Sequence, residues 1–85
     1  MTEKATVTIQ NRMGLHARPA VVFVEVVNKY KSSVVVRNGA QAVDGKSIMQ
    51  IMMLAATQGT ELEIEANGPD AGEVIGDLVA WLAKI

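Results

Sequence analysis

The sequence predicts an α+β fold, a two-layer open-faced sandwich with all of its helices on one face of a sheet. In residues 4–9 a lysine and two threonines alternate with apolar residues, and in 60–66 three glutamates do the same. This alternation leaves one sheet face in water, so the helices must cover the other face. The 85 residues are expected to form one domain, 1–85, because single domains typically run from about 50 to 250 residues.

The first strand is predicted from Ala5, Val7 and Ile9, which form its apolar side, and a loop containing Gly14 follows. In 17–27 two signals disagree. Apolar residues recur at helical spacing, but the β-branched and aromatic composition favours a strand. The pattern leaves this segment undecided, and Pro19 favours a helix start, where a missing N–H costs nothing. The residues at helical spacing are Ala20, Val24 and Val27, with Ala17 and Val21 alongside.

The middle of the chain predicts a hairpin and a second, short helix. Asn38-Gly39 stands between two strand-like runs, 34–37 and 40–43, and such a pair is the strongest short-range hairpin signal. The segment 47–50, Ser-Ile-Met-Gln, has the form of a capping box and predicts a helix starting after Ser47. We expect this helix to bury Ile51, Leu54 and Ala55 and to leave Met49, Met52 and Met53 near the surface.

The last strand and helix are predicted from 60–85. Leu62, Ile64 and Ala66 alternate with the glutamates, and the turn Asn67-Gly68-Pro69 follows. Asp70 and Glu73 then form a cap-like helix start. The apolar stripe of this helix comprises Val74, Ile75, Leu78, Trp81, Leu82 and Ile85. The order of elements is therefore strand, helix, strand, strand, helix, strand, helix.

Composition excludes several classes of function. The chain has no cysteine, which rules out thiol catalysis, disulfides and thiolate metal ligands, and its one histidine argues against a zinc site. A net charge of −1 offers no polycationic surface for nucleic acid. There is no nucleotide-binding loop of the Gly-x4-Gly-Lys type. We expect no metal, no cofactor and no membrane insertion, and a cytoplasmic protein.

The single histidine, His16, directly precedes the first predicted helix, with Arg18 two residues later. An imidazole can accept a phosphoryl group, and an arginine with a helix N-terminus can hold its oxygens. The helix dipole and Arg18 both favour the neutral, nucleophilic imidazole and both attract a phosphoryl dianion. The backbone N–H groups of Ala17 and Arg18 would add donors. The alternative is that His16 is only a helix cap or a surface residue.

The heptapeptide 14–20, Gly-Leu-His-Ala-Arg-Pro-Ala, resembles the active-site signature of the HPr family, the histidine-containing phosphocarriers of the bacterial sugar phosphotransferase system. The resemblance implies a helix in 17–27, a four-stranded antiparallel sheet and three helices on one face. It also implies phosphorylation on Nδ1 of His16, with Arg18 stabilising the phosphoryl group. Enzyme I would supply that group from phosphoenolpyruvate, and the IIA components of sugar permeases would receive it. The protein would be a monomeric carrier with a transient phosphohistidine rather than a stand-alone catalyst.

Residues 45–49, Gly-Lys-Ser-Ile-Met, are similar to the HPr segment that bears a regulatory serine. The resemblance implies phosphorylation of Ser47 by a serine kinase, reversed by a phosphorylase, whereas the plainer interpretation is an N-cap. It also implies that Ile48, Met49 and Met52 dock partner proteins, although methionines can simply fill a core.

Two other interpretations of the whole chain stay open. Residues 11–14, Asn-Arg-Met-Gly, are also similar to NPr, the related carrier of the nitrogen branch of the phosphotransferase system. The chemistry would be the same, but the partners would be regulatory. The second alternative is a non-catalytic protein-binding or nucleic-acid-binding α/β module, which would take no phosphoryl group.

Overall fold

A computed structural model describes residues 1–85 and confirms the predicted fold class and element order. The strands form one sheet in the order β1-β4-β2-β3, and every neighbouring pair is antiparallel. None of the helices is both long and apolar enough to cross a membrane. The elements are β1 (Thr2–Thr8), α1 (Ala17–Val27), β2 (Ser33–Asn38), β3 (Gln41–Asp44), α2 (Ile48–Met53), β4 (Glu61–Asn67) and α3 (Ala71–Lys84).

The core lies between the sheet and the helical layer. The strand β4, central in the sheet, buries Leu62, Ile64 and Ala66 completely, as its alternation predicts. Their neighbours in the same core include Phe23 of α1 and Leu78 of α3, both fully buried. Burying a large apolar side chain stabilises a fold by roughly 1.5–3 kcal/mol. The two-layer arrangement therefore depends on one apolar side of the sheet.

Charged side chains occupy the opposite face of the sheet. Arg37 of β2 binds Glu63 at 3.0 Å and Glu65 at 2.6 Å, both on the neighbouring strand β4. The hydrogen bond from Arg37 holds the pKa of the Glu65 carboxyl below its ordinary value. The predicted wet face is thus a polar surface with cross-strand ion pairs.

Several details of the core differ from the predictions. In α1 the fully buried aromatic residue is Phe23, whereas Ala17 and Val21 are exposed. The apolar stripe is therefore rotated toward α3, where Trp81 meets the Phe23 ring edge-on with centroids 6.3 Å apart. Trp81 is only half-buried, and Ile85 at the end of α3 is exposed.

The hairpin turn lies one residue later than predicted. Asn38 pairs with Gln41, so the two loop residues are Gly39 and Ala40. Gly39 has a φ of +61°, whereas the φ of Ala40 is not positive. A glycine at the first loop position is typical of a type II′ turn, which suits the twist of paired strands.

The start of α3 also differs from the predicted cap. Asp70 makes no side-chain hydrogen bond to its own helix. Its carboxylate instead accepts from the backbone N–H groups of Lys31 and Ser32, each at 2.9 Å, and from the Ser32 hydroxyl. These bonds, first that from the Ser32 hydroxyl, hold the pKa of Asp70 below its ordinary value. Asp70 therefore ties α3 to the connection between α1 and β2.

A second contact joins the same two parts of the chain. The Tyr30 hydroxyl donates to the carboxylate of Asp77, about two helical turns after Asp70. This hydrogen bond raises the pKa of Tyr30 to about 12.

Candidate functional site

The loop before α1 is held against the segment that follows α2. Gly14 has a φ of +67°, and a Cβ there would lie 2.1 Å from the carbonyl oxygen of Ala56. Only glycine fits this approach. The next residue, Leu15, is buried and donates its backbone N–H to the same Ala56 oxygen at 2.9 Å. Asn11 closes the loop, donating from Nδ2 to the Gly14 oxygen at 2.7 Å.

His16 is placed by this loop at the N-cap of α1. Its backbone is extended, with φ −85° and ψ −168°, and its carbonyl accepts the first helical bond from Ala20 N at 2.9 Å. The imidazole is exposed and makes no capping hydrogen bond. The ring is thus positioned by the backbone at the helix start and is accessible from solvent.

The first turn of α1 offers free hydrogen-bond donors next to the ring. The first N–H groups of a helix have no partner within it, and those of Ala17 and Arg18 have none elsewhere in this chain. Pro19 has no N–H, so it adds no unsatisfied donor. The Arg18 side chain is exposed and outside the salt bridges of the sheet. An anion at this helix end would meet two N–H donors, the helix dipole and a guanidinium.

A shallow apolar cavity of about 290 Å³ lies beside His16. It combines the loop before α1, the start of α1, α2 and the segment after α2. Its lining residues are Met13, Leu15, His16, Ala17, Met52, Ala55, Ala56 and Thr57. The structure therefore brings His16 together with Met52, which the sequence placed in the docking surface. Arg18, Ile48 and Met49 lie outside the lining.

The second helix exposes apolar side chains, as predicted. Ile48, Met49, Met52 and Met53 are all exposed, while Ile51 and Leu54 are buried. The prediction that Ala55 packs in the core is wrong. Ala55 follows the helix end, is exposed and has a φ of +51°. It reaches the cavity at the His16 site instead, a position that helical periodicity could not reveal because the helix has already ended.

Ser47 is the N-cap of α2 and is half-buried. Its hydroxyl oxygen accepts from Gln50 N at 3.2 Å, which is one half of the predicted capping box. The other half is absent, because the Gln50 side chain accepts from Asp44 N at 2.9 Å and not from Ser47 N. The Ser47 N–H donates to the Asp44 carbonyl at 3.1 Å. Ser47 therefore caps α2 through its hydroxyl oxygen and bonds the end of β3 through its backbone N–H.

A family model described as "PTS HPr component phosphorylation site" matches residues 3–84. The fold, the exposed histidine at a helix start and this match together define a phosphocarrier protein. They do not describe a non-catalytic binding module. The chain belongs to the HPr family of the bacterial phosphotransferase system.

Individual relatives of both branches of the family are similar to the chain. The phosphocarrier protein HPr of Pseudomonas aeruginosa is 49% identical over 74 residues, covering 86% of this chain and 82% of the relative. The phosphocarrier protein NPr of Klebsiella oxytoca is 40% identical over 81 residues, covering 94% and 90%. The crystal structure of HPr-C-His from Thermoanaerobacter tengcongensis matches with a TM-score of 0.93 at 39% identity, covering 96% of this chain and 92% of that one.

Proposed function

We propose that Nδ1 of His16 accepts a phosphoryl group from enzyme I, which obtains it from phosphoenolpyruvate, and passes it to IIA components of sugar permeases. The observation that carries this proposal is the exposed, unbonded imidazole beside two free N–H groups at a helix start. A ring nitrogen without a partner keeps its lone pair available for phosphorus. The domain spanning 1–85 would act as a monomer in the cytoplasm, where its donor and acceptors meet.

The transfer needs little from this chain beyond positioning and charge stabilisation. The Nδ1 lone pair forms the N–P bond while the bond from phosphorus to the donor atom breaks and its electron pair returns to the donor. The N–H groups of Ala17 and Arg18 and the Arg18 guanidinium would bind the phosphoryl oxygens. The guanidinium presents a planar fork that matches two phosphoryl oxygens, whereas a lysine would act as a point charge. The same steps in reverse order deliver the group to the acceptor.

Partner docking is proposed for the exposed apolar residues Ile48, Met49 and Met52. Met52 supports this role most directly, because it borders the same cavity as His16. Methionine side chains adapt to partners of different shape, which suits a carrier that must meet one donor and several acceptors.

Regulation is proposed at Ser47, through phosphorylation by a serine kinase and removal by a phosphorylase. The support is its position directly before Ile48 and Met49, at the edge of the proposed docking surface. A phosphate there would carry a charge near −2 into an apolar contact and weaken it by desolvation. The fold would tolerate the phosphate on Ser47, because negative charge is favourable at a helix N-terminus.

The nitrogen branch is a second candidate, with the same chemistry and regulatory partners. It is favoured by Met13, an exposed apolar residue on the cavity next to His16, and by the 40% identity to NPr over 94% of this chain. The sugar branch is favoured by the higher identity, 49%, to HPr. The two differ in their protein partners and not in the site.

The test is direct phosphorylation by purified enzymes. The protein is incubated with phosphoenolpyruvate and either the sugar-branch or the nitrogen-branch enzyme I, and the ring nitrogens of His16 are followed by NMR. We expect an acid-labile phosphoryl group on Nδ1, with faster labelling by the sugar-branch enzyme. Labelling on Nε2 or on another residue contradicts the site, and preference for the other enzyme assigns the nitrogen branch. Adding separate IIA proteins then identifies the acceptors.

A further inference from the structure

All five methionines of this protein are exposed, and none belongs to the 21-residue apolar core. The exposed fractions are 79% for Met1, 68% for Met13, 75% for Met49, 43% for Met52 and 64% for Met53. Methionine is ordinarily among the more buried residue types. The chain has no cysteine, so these thioethers are its only sulfur atoms and all of them meet solvent.

Two of the five lie at the His16 site. Met13 comes from the loop before α1 and Met52 from α2, and together they line the cavity that His16 borders. Met53 is adjacent to Met52 in sequence and more exposed, yet it lies outside this cavity. The chain thus contains two methionines at the site and an exposed one, Met53, beside it.

We propose that Met13 and Met52 form an oxidation-sensitive pair, and that their conversion to sulfoxides by a peroxide-class oxidant switches off phosphoryl transfer at His16. The inference rests on the proposed function. In each reaction the sulfur lone pair forms an S–O bond with one peroxide oxygen while the O–O bond breaks. The second oxygen leaves as hydroxide and takes a proton to become water. Sulfur is oxidised by two electrons and the peroxide is reduced by two.

The reverse reaction needs a dithiol reductant, as methionine sulfoxide reductases use. The sulfoxide oxygen leaves as water, the two thiols become a disulfide, and the thioether is restored. The modification is therefore a reversible one.

The effect follows from polarity at a surface that must lose its water. A thioether is apolar and flexible, whereas a sulfoxide is a strong hydrogen-bond acceptor. When a partner docks over the cavity, each sulfoxide oxygen would lose its hydrogen bonds to water inside an apolar contact, and such burial is unfavourable. We expect a loss of at least about tenfold in transfer rate, since each unpaired polar group costs on that order. The fold should be unaffected, because neither residue contributes to the core.

The experiment compares the intact protein with two variants, each before and after peroxide treatment. In Met13→Leu/Met52→Leu the two methionines of the cavity cannot be oxidised, whereas Met49, outside the cavity, still can; in Met53→Leu both cavity methionines remain. Sulfoxides are assigned to individual methionines by peptide mass spectrometry, and the rate of phosphorylation by enzyme I is measured. Each protein is compared with its own untreated form, so that any change in the basal rate cancels. Melting curves show whether the treated proteins remain folded.

Treated wild type and treated Met53→Leu are expected to lose at least about tenfold in rate. The double variant should keep most of its rate, and sulfoxide reductase with a dithiol should restore the wild type. The inference is overturned if fully oxidised wild type transfers normally, if the double variant is inhibited equally, or if oxidation lowers the melting temperature enough to unfold the protein. Failure of the untreated wild type to accept a phosphoryl group would instead overturn the proposed function itself.

Discussion

The N-caps of α1 and α2, His16 and Ser47, both have an extended backbone, but only Ser47 caps its helix with a side-chain hydrogen bond. At α2, the Ser47 hydroxyl oxygen accepts from Gln50 N at 3.2 Å and satisfies a donor of the first turn. At α1, the His16 side chain makes no such bond, and the N–H groups of Ala17 and Arg18 have no acceptor. One helix start is closed by its cap and the other is left open at the surface.

The difference shows how packing can stabilise a helix whose first N–H groups lack acceptors. A serine cap stabilises a helix by about 1 kcal/mol, and α1 does without it. The longer helix α1 buries four residues, Ala20, Phe23, Val24 and Val27, which hold it in place. The six-residue α2 buries only Ile51 and depends more on its ends. Packing thus allows α1 to keep free donors for an anion.

Replacing His16 by alanine tests the open end and has the largest expected effect. His16→Ala should abolish phosphorylation by enzyme I completely, because no other imidazole or thiol is present. Stability should change by less than about 0.5 kcal/mol, since an exposed side chain without hydrogen bonds is lost. Labelling with radioactive phosphoenolpyruvate and urea unfolding measure the two quantities. Residual acid-labile label would mean that another residue accepts the phosphoryl group, and a large loss of stability would show that the end of α1 is not open as described.

Removing Arg18 tests whether the open end acts by geometry or by charge alone. Arg18→Ala should slow transfer by about tenfold or more, because a charge-assisted hydrogen bond contributes about 1.5–3 kcal/mol. Arg18→Lys should recover part of the rate, as a point charge without the planar fork. The matched control is Arg12→Ala, which removes the same charge from the exposed loop before Met13. Equal slowing in this control would assign the effect to net charge.

The start of α3 extends the comparison, because its cap residue is used elsewhere. The bonds from Ser32 and Lys31 lower the pKa of Asp70 in the folded protein. A pKa below the unfolded value of about 3.9 means that the ionised carboxylate stabilises the fold above that pH. The contribution is lost as the pH falls through the folded pKa.

Asp70→Asn should therefore lower the melting temperature at pH 7 and have progressively less effect under acid conditions. The amide keeps an oxygen but turns an N–H₂ group toward one of the two backbone donors at Lys31 and Ser32. Thermal melts of both proteins between neutral and acid pH measure the difference. A difference in melting temperature that stays constant to the lowest pH would mean that the charge of Asp70 does not contribute to stability.

Much of the fold could be predicted because its signals are local. The alternation in β4 and the apolar stripe of α3 each depend on neighbours within a few residues. The structure bears them out, except that Trp81 is half-buried and Ile85 is exposed. Asp70 also has the local signature of a cap, but its partners, Lys31 and Ser32, lie 39 and 38 residues away. Gln50 likewise bonds Asp44 across the junction of β3 and α2. Local patterns predict that such residues will bind something, and tertiary contacts decide what.

The same limit applies to the candidate site. The heptapeptide 14–20 predicted the placement of His16 and Arg18 at the start of α1, where the structure has them. The cavity beside them was not predicted, because it is made by bringing Met13 against Met52 and the segment 55–57. Gly14 was the available signal. A glycine at the first position of the signature indicates a close backbone approach, although it does not say to which segment.

Two substitutions of Ser47 test the closed end. Ser47→Ala should lose about 1 kcal/mol of stability, because the Gln50 N–H loses its acceptor, and should transfer nearly normally. Ser47→Asp keeps a competent cap with a favourable charge and should change stability by less than about 1 kcal/mol. Its transfer should weaken markedly, because the anion lies beside the docking residues. Urea unfolding and transfer rates separate the two roles. If Ser47→Asp transfers like the wild type, Ser47 is only a cap.

The C-terminal end of α2 gives the smallest expected effect and shows whether this short helix depends on both of its ends. Ala55 follows the helix with a φ of +51°, a conformation that costs a residue with a Cβ about 1–2 kcal/mol. Ala55→Gly removes this strain, while the greater freedom of glycine in the unfolded chain takes back about 0.4–1 kcal/mol. The net gain should be under about 1 kcal/mol, visible as a small rise in the urea midpoint at unchanged slope. The control is Ala80→Gly within α3, where the backbone is helical and glycine relieves no strain. Its greater freedom in the unfolded chain should then destabilise the protein by roughly 0.5–1 kcal/mol. If both substitutions destabilise equally, the left-handed conformation of Ala55 carries no strain.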